Sequence, residues 1–307
     1  MIRYLATRMI SACLALFPIG ASGLSLALDG AELPSGHFSL FAAPGETIAL
    51  TLPADIEQTR LLLDGRDAGR RDAAQWQVVA PVEPGIYALV IDHLSSSERR
   101  ELSLYVGRPA SDIRDGQVGD YVIGPEPAAH PHPDYAHFYS APEAFFEVSE
   151  EGADLAISEH FTLGQFLCKQ ASGYPKYLVL DSALLILLEG IVEELQRLGY
   201  PVRSLGMISA YRTPYYNRRI GNIPNSRHVY GDAFDFYVDV DGDGRMDDIN
   251  GDGLSNAGDV DHLYRIVTEL KARPRYSTLV GGVGRYYPNR HHGGYIHVDT
   301  RGFRARW

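Results

Sequence analysis

Two short runs limit what this chain can fold into more than any other feature: Ala233-Phe-Asp235-Phe and Tyr295-Ile-His297-Val-Asp299. Successive side chains of a strand point to opposite faces. Ala233 and Asp235 therefore share one face, and Phe234 and Phe236 the other. His297 and Asp299 likewise share a face, while Ile296 and Val298 turn toward a core. Gly231 supplies a turn between His228 and Asp235, so His228 arrives from the preceding loop. Two imidazoles and one carboxylate leave a fourth position for water, which is the arrangement of a catalytic rather than a structural zinc site. Taken alone, His-x6-Asp with a remote histidine is a weak signal.

The rest of the chain sets the frame. Its 307 residues suffice for one large domain or two ordinary ones. The net charge of −11 makes it a poor partner for nucleic acid or anionic lipid, which need a basic surface. Residues 1–23 read as a secretory signal: Arg3 and Arg8, an apolar run over 9–20, then Ala21-Ser22-Gly23. No later run reaches transmembrane length. A periplasmic or secreted location follows. Removing the signal removes Cys13 and leaves Cys168 without a disulfide partner, as a buried core thiol.

Residues 28–108 read as all-β. Runs such as Thr47–Leu52, Trp76–Val79, Ile86–Ile91 and Leu102–Val106 are separated by Pro44-Gly45, Asp64-Gly65 and Pro84-Gly85. The spacing suits a small sandwich of immunoglobulin type. Residues 109–159 read as a connector. Its Gly124–Asp134 stretch is too rich in proline for a helix or a central strand, and His130 and His132 read as solvated linker histidines. Within 160–307 a helix is expected over Leu178–Leu198, strands over Leu205–Ser209, Asp232–Val240 and Tyr295–Thr300, and a second helix over Asp259–Ala272. Helix and sheet without βαβ regularity argue an α+β domain.

The fuller pattern is more specific. Ser226-x-His228-x2-Gly231-x-Ala233-x-Asp235 is followed by His297-x-Asp299 and preceded by Ser209-x-Tyr211-Arg212-Thr213. Together these resemble the zinc D-Ala-D-Ala carboxypeptidases and murein endopeptidases, a superfamily that includes the hedgehog signalling domain. Gly282-Val-Gly-Arg-Tyr-Tyr-Pro and the tail from His297 to Trp307 look particularly like the MepK type. The resemblance implies zinc ligands at His228, Asp235 and His297. It places Arg212 where relatives hold a substrate carboxylate or carbonyl, a task that suits a planar guanidinium. It puts Ser226 and Tyr211 beside the substrate. Many relatives carry a glutamate three residues before the last ligand. Here that residue is Gly294, so the nearest upstream imidazole, His292, becomes the candidate for proton handling, with His291 adjacent. Asp299 is expected to orient a ligating histidine.

An acidic insert spans 239–261. Asp239, Asp241, Asp243 and Asp247 form one D-x-D-x-D-G loop, and Asp248, Asn250, Asp252, Asn256 and Asp259 form a second, resembling a dockerin loop. Oxygen side chains at positions 1, 3, 5 and 9, with glycine at 6, are calcium-loop spacing. The expectation is a monomeric peptidase of peptidoglycan stem peptides or cross-links, with zinc and structural calcium. The alternative is a catalytically silent, zinc-containing wall-binding module.

Overall fold

A computed structural model describes residues 24–52, 56–96 and 98–307. The expected signal segment lies outside the described residues. Among those residues no helix is long and apolar enough to cross a membrane.

The N-terminal third forms two five-stranded sheets. One runs Ala31–Glu32, Ala27–Leu28, Thr47–Thr51, Gln75–Val79, Gly69–Asp72; the other runs Ser39–Ala42, Arg99–Val106, Gly85–His93, Thr59–Leu63, Arg66–Asp67. Alternation explains the packing. Ile48, Leu50, Trp76 and Val78 of the first sheet share a core with Leu61, Leu89 and Ile91 of the second. The buried Trp76 indole donates across the two sheets to Thr59 Oγ1 at 2.9 Å. Asp64 and Gly65 both adopt positive φ and close a two-residue hairpin that pairs Leu63 with Arg66.

The connector proves to be folded rather than extended linker. Ala144–Val148 pairs with Arg108–Pro109 on one side and Lys176–Leu178 on the other, joining the two halves of the chain in one sheet. The expectation that Gly124–Asp134 excludes helix is corrected at its end, because a helical turn begins at Pro133 and runs to Ala136. Proline at a first helical position loses no hydrogen bond, and the His132 ring accepts from Asp134 N–H.

The long helix starts later than its apolar periodicity suggested. Leu178 ends a strand, and Asp181 caps the helix Ser182–Arg197 by accepting from Ala183 N–H at 2.8 Å. The C-terminal sheet runs in the order Gly206–Ser209, Ala233–Tyr237, Tyr295–Asp299, Gly282–Tyr286, Ala305–Arg306. One face, with Phe234, Phe236, Ile296, Val298 and Val283, is buried in the same core as the helix residues Leu184, Leu188, Ile191, Val260, Leu263 and Val267. Its other face carries the polar residues of the site.

Candidate metal centre

Register brings the ligand set together. Asp235 and His297 are directly opposed on neighbouring antiparallel strands. His228 sits on the short 3-10 turn Arg227–Tyr230, which ends at Gly231 with φ +74°. A β-carbon at residue 231 would lie 2.4 Å from the Val179 carbonyl oxygen, so both the turn and its close approach require glycine. Ligand atoms of His228, Asp235 and His297, all buried, lie within 4.8 Å of one another.

The hydrogen bonds aim these atoms. His228 Nδ1–H donates to the Ala210 carbonyl at 2.7 Å, which leaves Nε2 with a lone pair facing Asp235 Oδ2 at 3.0 Å. His297 Nε2–H donates to Asp299 Oδ2 at 3.0 Å, which leaves Nδ1 facing Asp235 Oδ1 at 2.7 Å. Neutral rings so oriented point lone pairs at a carboxylate, a convergence of acceptors that calls for a cation between them. Two imidazole nitrogens and a carboxylate oxygen are a zinc donor set, and the anchored far nitrogens are the usual support of such ligands. The residues present therefore fit zinc.

The electrostatics show the same demand for positive charge between the carboxylates: a proton on His297, donated to Asp235 and Asp299, occupies the place that a metal ion would take. Burial opposes charge on Asp235, yet His228 and His297 beside it hold its carboxyl well below the usual range. Burial would lower His297, but its bonds to Asp235 and Asp299 outweigh that and push it up to about 9. Burial pulls His228 down. Asp299 is fully buried and accepts from Gly282 N–H at 2.8 Å and from the Arg301 guanidinium, as well as from His297. Its own burial is outweighed by His297 and Arg301, which hold it ionised.

Arg212 lines the same cavity of about 290 Å³. Its Nε donates to Ser209 Oγ at 2.7 Å and its Nη2 to Asp235 Oδ2 at 3.0 Å. Ser226 lines the cavity as well, without capping the turn through its side chain. Tyr211 does not enter it. Its neighbour on the chain, Arg212, faces the metal cavity, whereas Tyr211 lines a separate apolar cavity with Ile123, Phe145 and Pro214. Neither His292 nor His291 lines the metal cavity. His292 is half-buried, bonded to Asn289 and to the Gly293 carbonyl, and its ring meets the edge of Tyr295 at 5.1 Å. His291 is exposed and accepts from Arg290.

Several cavity residues escaped the sequence reading. Tyr295 was accessible to it, since alternation puts it on the face of His297. It stacks on Tyr286 at 4.6 Å and 5°. Trp307 lies 5.2 Å from His297 and donates from its indole to the Tyr286 hydroxyl at 3.0 Å. A β-carbon at Gly284 would come within 2.4 Å of that indole, a contact no local pattern reveals. His130 and Tyr139 come from the connector. That segment is fastened to the C-terminal half by Arg227. Its guanidinium lies 4.5 Å from each of the Tyr139 and Tyr230 rings, donates to the Phe138 carbonyl at 2.7 Å and pairs with the buried Asp232. His130 is thus a wall residue, not a solvated linker histidine.

The acidic insert is only partly assembled for an ion. Asp239, Asp241 and Asp247 bring carboxylate oxygens within 4.8 Å. Asp243 stands apart from that group and accepts from Arg245 N–H. In the second loop Asp248, Asn250 and Asp252 accept from backbone N–H groups of their own turn. Asp259, expected as the twelfth ligand, is fully buried and accepts from Ile249, Asn250 and Asn256 N–H. With Asn256 it forms the capping box of the helix Ala257–Lys271, so helix capping accounts for both residues.

Residues 159–249 match the Peptidase M15 family. Among curated proteins none matches this chain. The matched segment contains Arg212, His228 and Asp235 and stops before His297, which the strand register supplies. M15 peptidases are zinc-dependent, so the match and the donor set support a metallopeptidase. The match is to the family as a whole and does not extend to the MepK-type likeness.

Proposed function

We propose that the protein is a zinc peptidase of the cell envelope that cleaves D-amino-acid-containing stem peptides or cross-links of peptidoglycan. The convergence of His228 Nε2, Asp235 and His297 Nδ1 carries this reading. A zinc ion at this centre supplies Lewis acidity toward a peptide carbonyl and an acidified water. The chain's own residues do the rest. Asp299 and the Ala210 carbonyl hold the two imidazoles in register. Arg212, fixed by Ser209 and Asp235, presents its remaining N–H groups to a substrate carbonyl or carboxylate, and such positioning is a large share of catalysis. Burial keeps the Tyr295 hydroxyl protonated, as a donor beside the ligands.

Proton handling passes from His292 to His130. Among the described residues that line the cavity, His130 is the one imidazole outside the ligand set. Its Nδ1 accepts from His132 N–H at 3.0 Å, which directs the proton to Nε2. Imidazole is the side chain that exchanges protons near neutral pH. Calcium remains a proposal for the Asp239, Asp241 and Asp247 group alone, as a brace for the loop that follows the Asp235 strand.

The deciding experiment digests purified sacculi with zinc-loaded protein and identifies released muropeptides by mass spectrometry. New amine and carboxyl ends at a D-residue bond support the peptidase. Zinc-loaded protein that binds sacculi and releases nothing supports the silent wall-binding module instead.

A further inference from the structure

An aromatic ledge extends outward from the metal cavity. Tyr139, in the cavity wall, lies 4.9 Å from the His130 ring, and His130 lies 5.2 Å from Tyr135. Tyr135 stacks on Phe303 at 4.3 Å and 27°. Phe138 closes against Phe303 at 5.4 Å. Tyr135 is 38% exposed, although Phe303, on which it stacks, packs with Phe138 against a buried centre at Tyr139, Val229 and Tyr230. Core packing would hide such a ring. Here the structure builds a rigid support beneath it and leaves it in solvent.

The polar groups at the rim narrow the ligand. His132, Asp134 and His137 are exposed around Tyr135. Hydroxyl-rich rings with an apolar C–H face match a stacked aromatic bordered by neutral and acidic hydrogen-bonding groups. A lipid would want a wider apolar area, and a nucleic acid a basic one.

Distance agrees with one occupant. A peptide advances roughly 3.3–3.6 Å per residue. The two ring-to-ring steps from Tyr139 to Tyr135 bound the separation of these rings at about 10 Å, at most about three residues of a bound stem. Resting on the peptidase reading above, we propose that Tyr135 and Phe303 form a subsite for the sugar that carries the stem peptide, binding a pyranose face by C–H to ring stacking. The connector then determines specificity, selecting peptides still attached to glycan.

The test compares two substrates of identical peptide sequence, one free and one attached to its disaccharide, using zinc-loaded protein. Tyr135→Leu keeps an apolar group against His130 but removes the aromatic face. It should lower kcat/KM on the disaccharide peptide by about ten-fold, the worth of one aromatic stacking contact, through KM. The free peptide should be cleaved within two-fold of wild type. Tyr135→Trp should restore the preference. Equal losses on both substrates, or no loss on either, overturn the subsite. Binding of peptide-free glycan oligomers, measured by calorimetry, separates this proposal from the peptidase reading. If wild type cleaves neither substrate yet binds glycan, and Tyr135→Leu abolishes that binding, the ledge stands and the peptidase falls. If wild type binds no glycan and shows no preference between substrates, the ledge falls.

Discussion

Replacing Asp299 by asparagine separates the orientation of a ligand from its identity. The carboxylate accepts from His297 Nε2–H, Gly282 N–H and Arg301 in a site with no solvent access. Asparagine has nearly the same shape but one acceptor oxygen in place of two. If that oxygen takes the place of Oδ2, His297 and Arg301 Nη2 keep their acceptor and the amide N–H₂ is forced against the Gly282 and Arg301 backbone N–H groups; if it takes the place of Oδ1, the N–H₂ faces His297, which loses its partner. Groups that orient metal ligands are worth about 10–100-fold in metal affinity, or about 1.4–2.7 kcal/mol. Arg301 is 14% exposed and loses its counter-charge. Breaking a buried pair costs about 3–5 kcal/mol, and the low end applies because Arg301 keeps its Phe303 and Trp307 ring contacts. Asp299→Asn should thus melt lower and bind zinc more weakly by one to two orders of magnitude, measured by competition with a chromophoric chelator on protein verified as folded. Arg301→Gln is the control. It should lose comparable stability and retain most zinc affinity, since His297 keeps its acceptor. Zinc affinity within two-fold of wild type in Asp299→Asn would refute the reasoning.

Four further outcomes are expected. His228→Ala, Asp235→Ala and His297→Ala should each fall from about one zinc per chain to a small fraction by atomic absorption, and full retention in all three would disprove the ligand set. His130→Ala should keep zinc and lose about 10²–10⁴-fold in turnover while His292→Ala stays near wild type, and the reverse pattern would return the proton to His292. Glu194 is pulled down to about 2, first by its hydrogen bonds to Arg197 and then by those to Arg273. Its stabilisation is complete above the unfolded value of 4.5 and fades as pH falls through about 2. Glu194→Gln should cost about 2 kcal/mol at pH 7, after screening by the exposed arginines, and about a tenth of that at pH 2, where the folded-state carboxyl is half protonated. A cost independent of pH in denaturant melts would contradict that assignment. In metal-stripped, zinc-reloaded protein, calcium should raise the melting temperature by mass action, and Asp239→Ala with Asp241→Ala should remove the rise. An unchanged curve for wild type leaves the loop a solvated acidic turn.

Local chemistry decided which parts of this molecule could be read in advance. The Asp235 and His297 strands were legible because period-two alternation is written in consecutive residues, and it fixes both the buried face and the ligand face. The long helix was legible in its interior, but its start was misplaced by four residues. Leu178 and Leu180 continue the apolar rhythm, and only the Asp181 side-chain bond to Ala183 marks the true boundary. Asp259 misled for the opposite reason. Calcium spacing and a capping box both demand an oxygen side chain at that position, and the helix, being local and already formed, takes the carboxylate.

The cavity wall was illegible for a different physical reason, since it depends on contacts between residues far apart in the chain. His130 precedes Pro131 in a proline-rich stretch, where every local rule predicts solvent. It becomes a wall residue because Arg227, almost a hundred positions later, binds the Phe138 carbonyl and packs on Tyr139. Trp307 reaches His297 only because Ala305–Arg306 adds a parallel edge to the sheet beside Gly282–Tyr286. The ligands are thus fixed by two short strands and the turn before one of them, whereas most of the cavity wall is delivered by long-range docking of the connector and the tail. This division predicts where relatives diverge: substitutions at Tyr135 and Phe303 should change the preference for glycan-attached peptide while leaving the zinc donor set intact. Zinc content and substrate preference measured on the same variants would show whether the two properties separate.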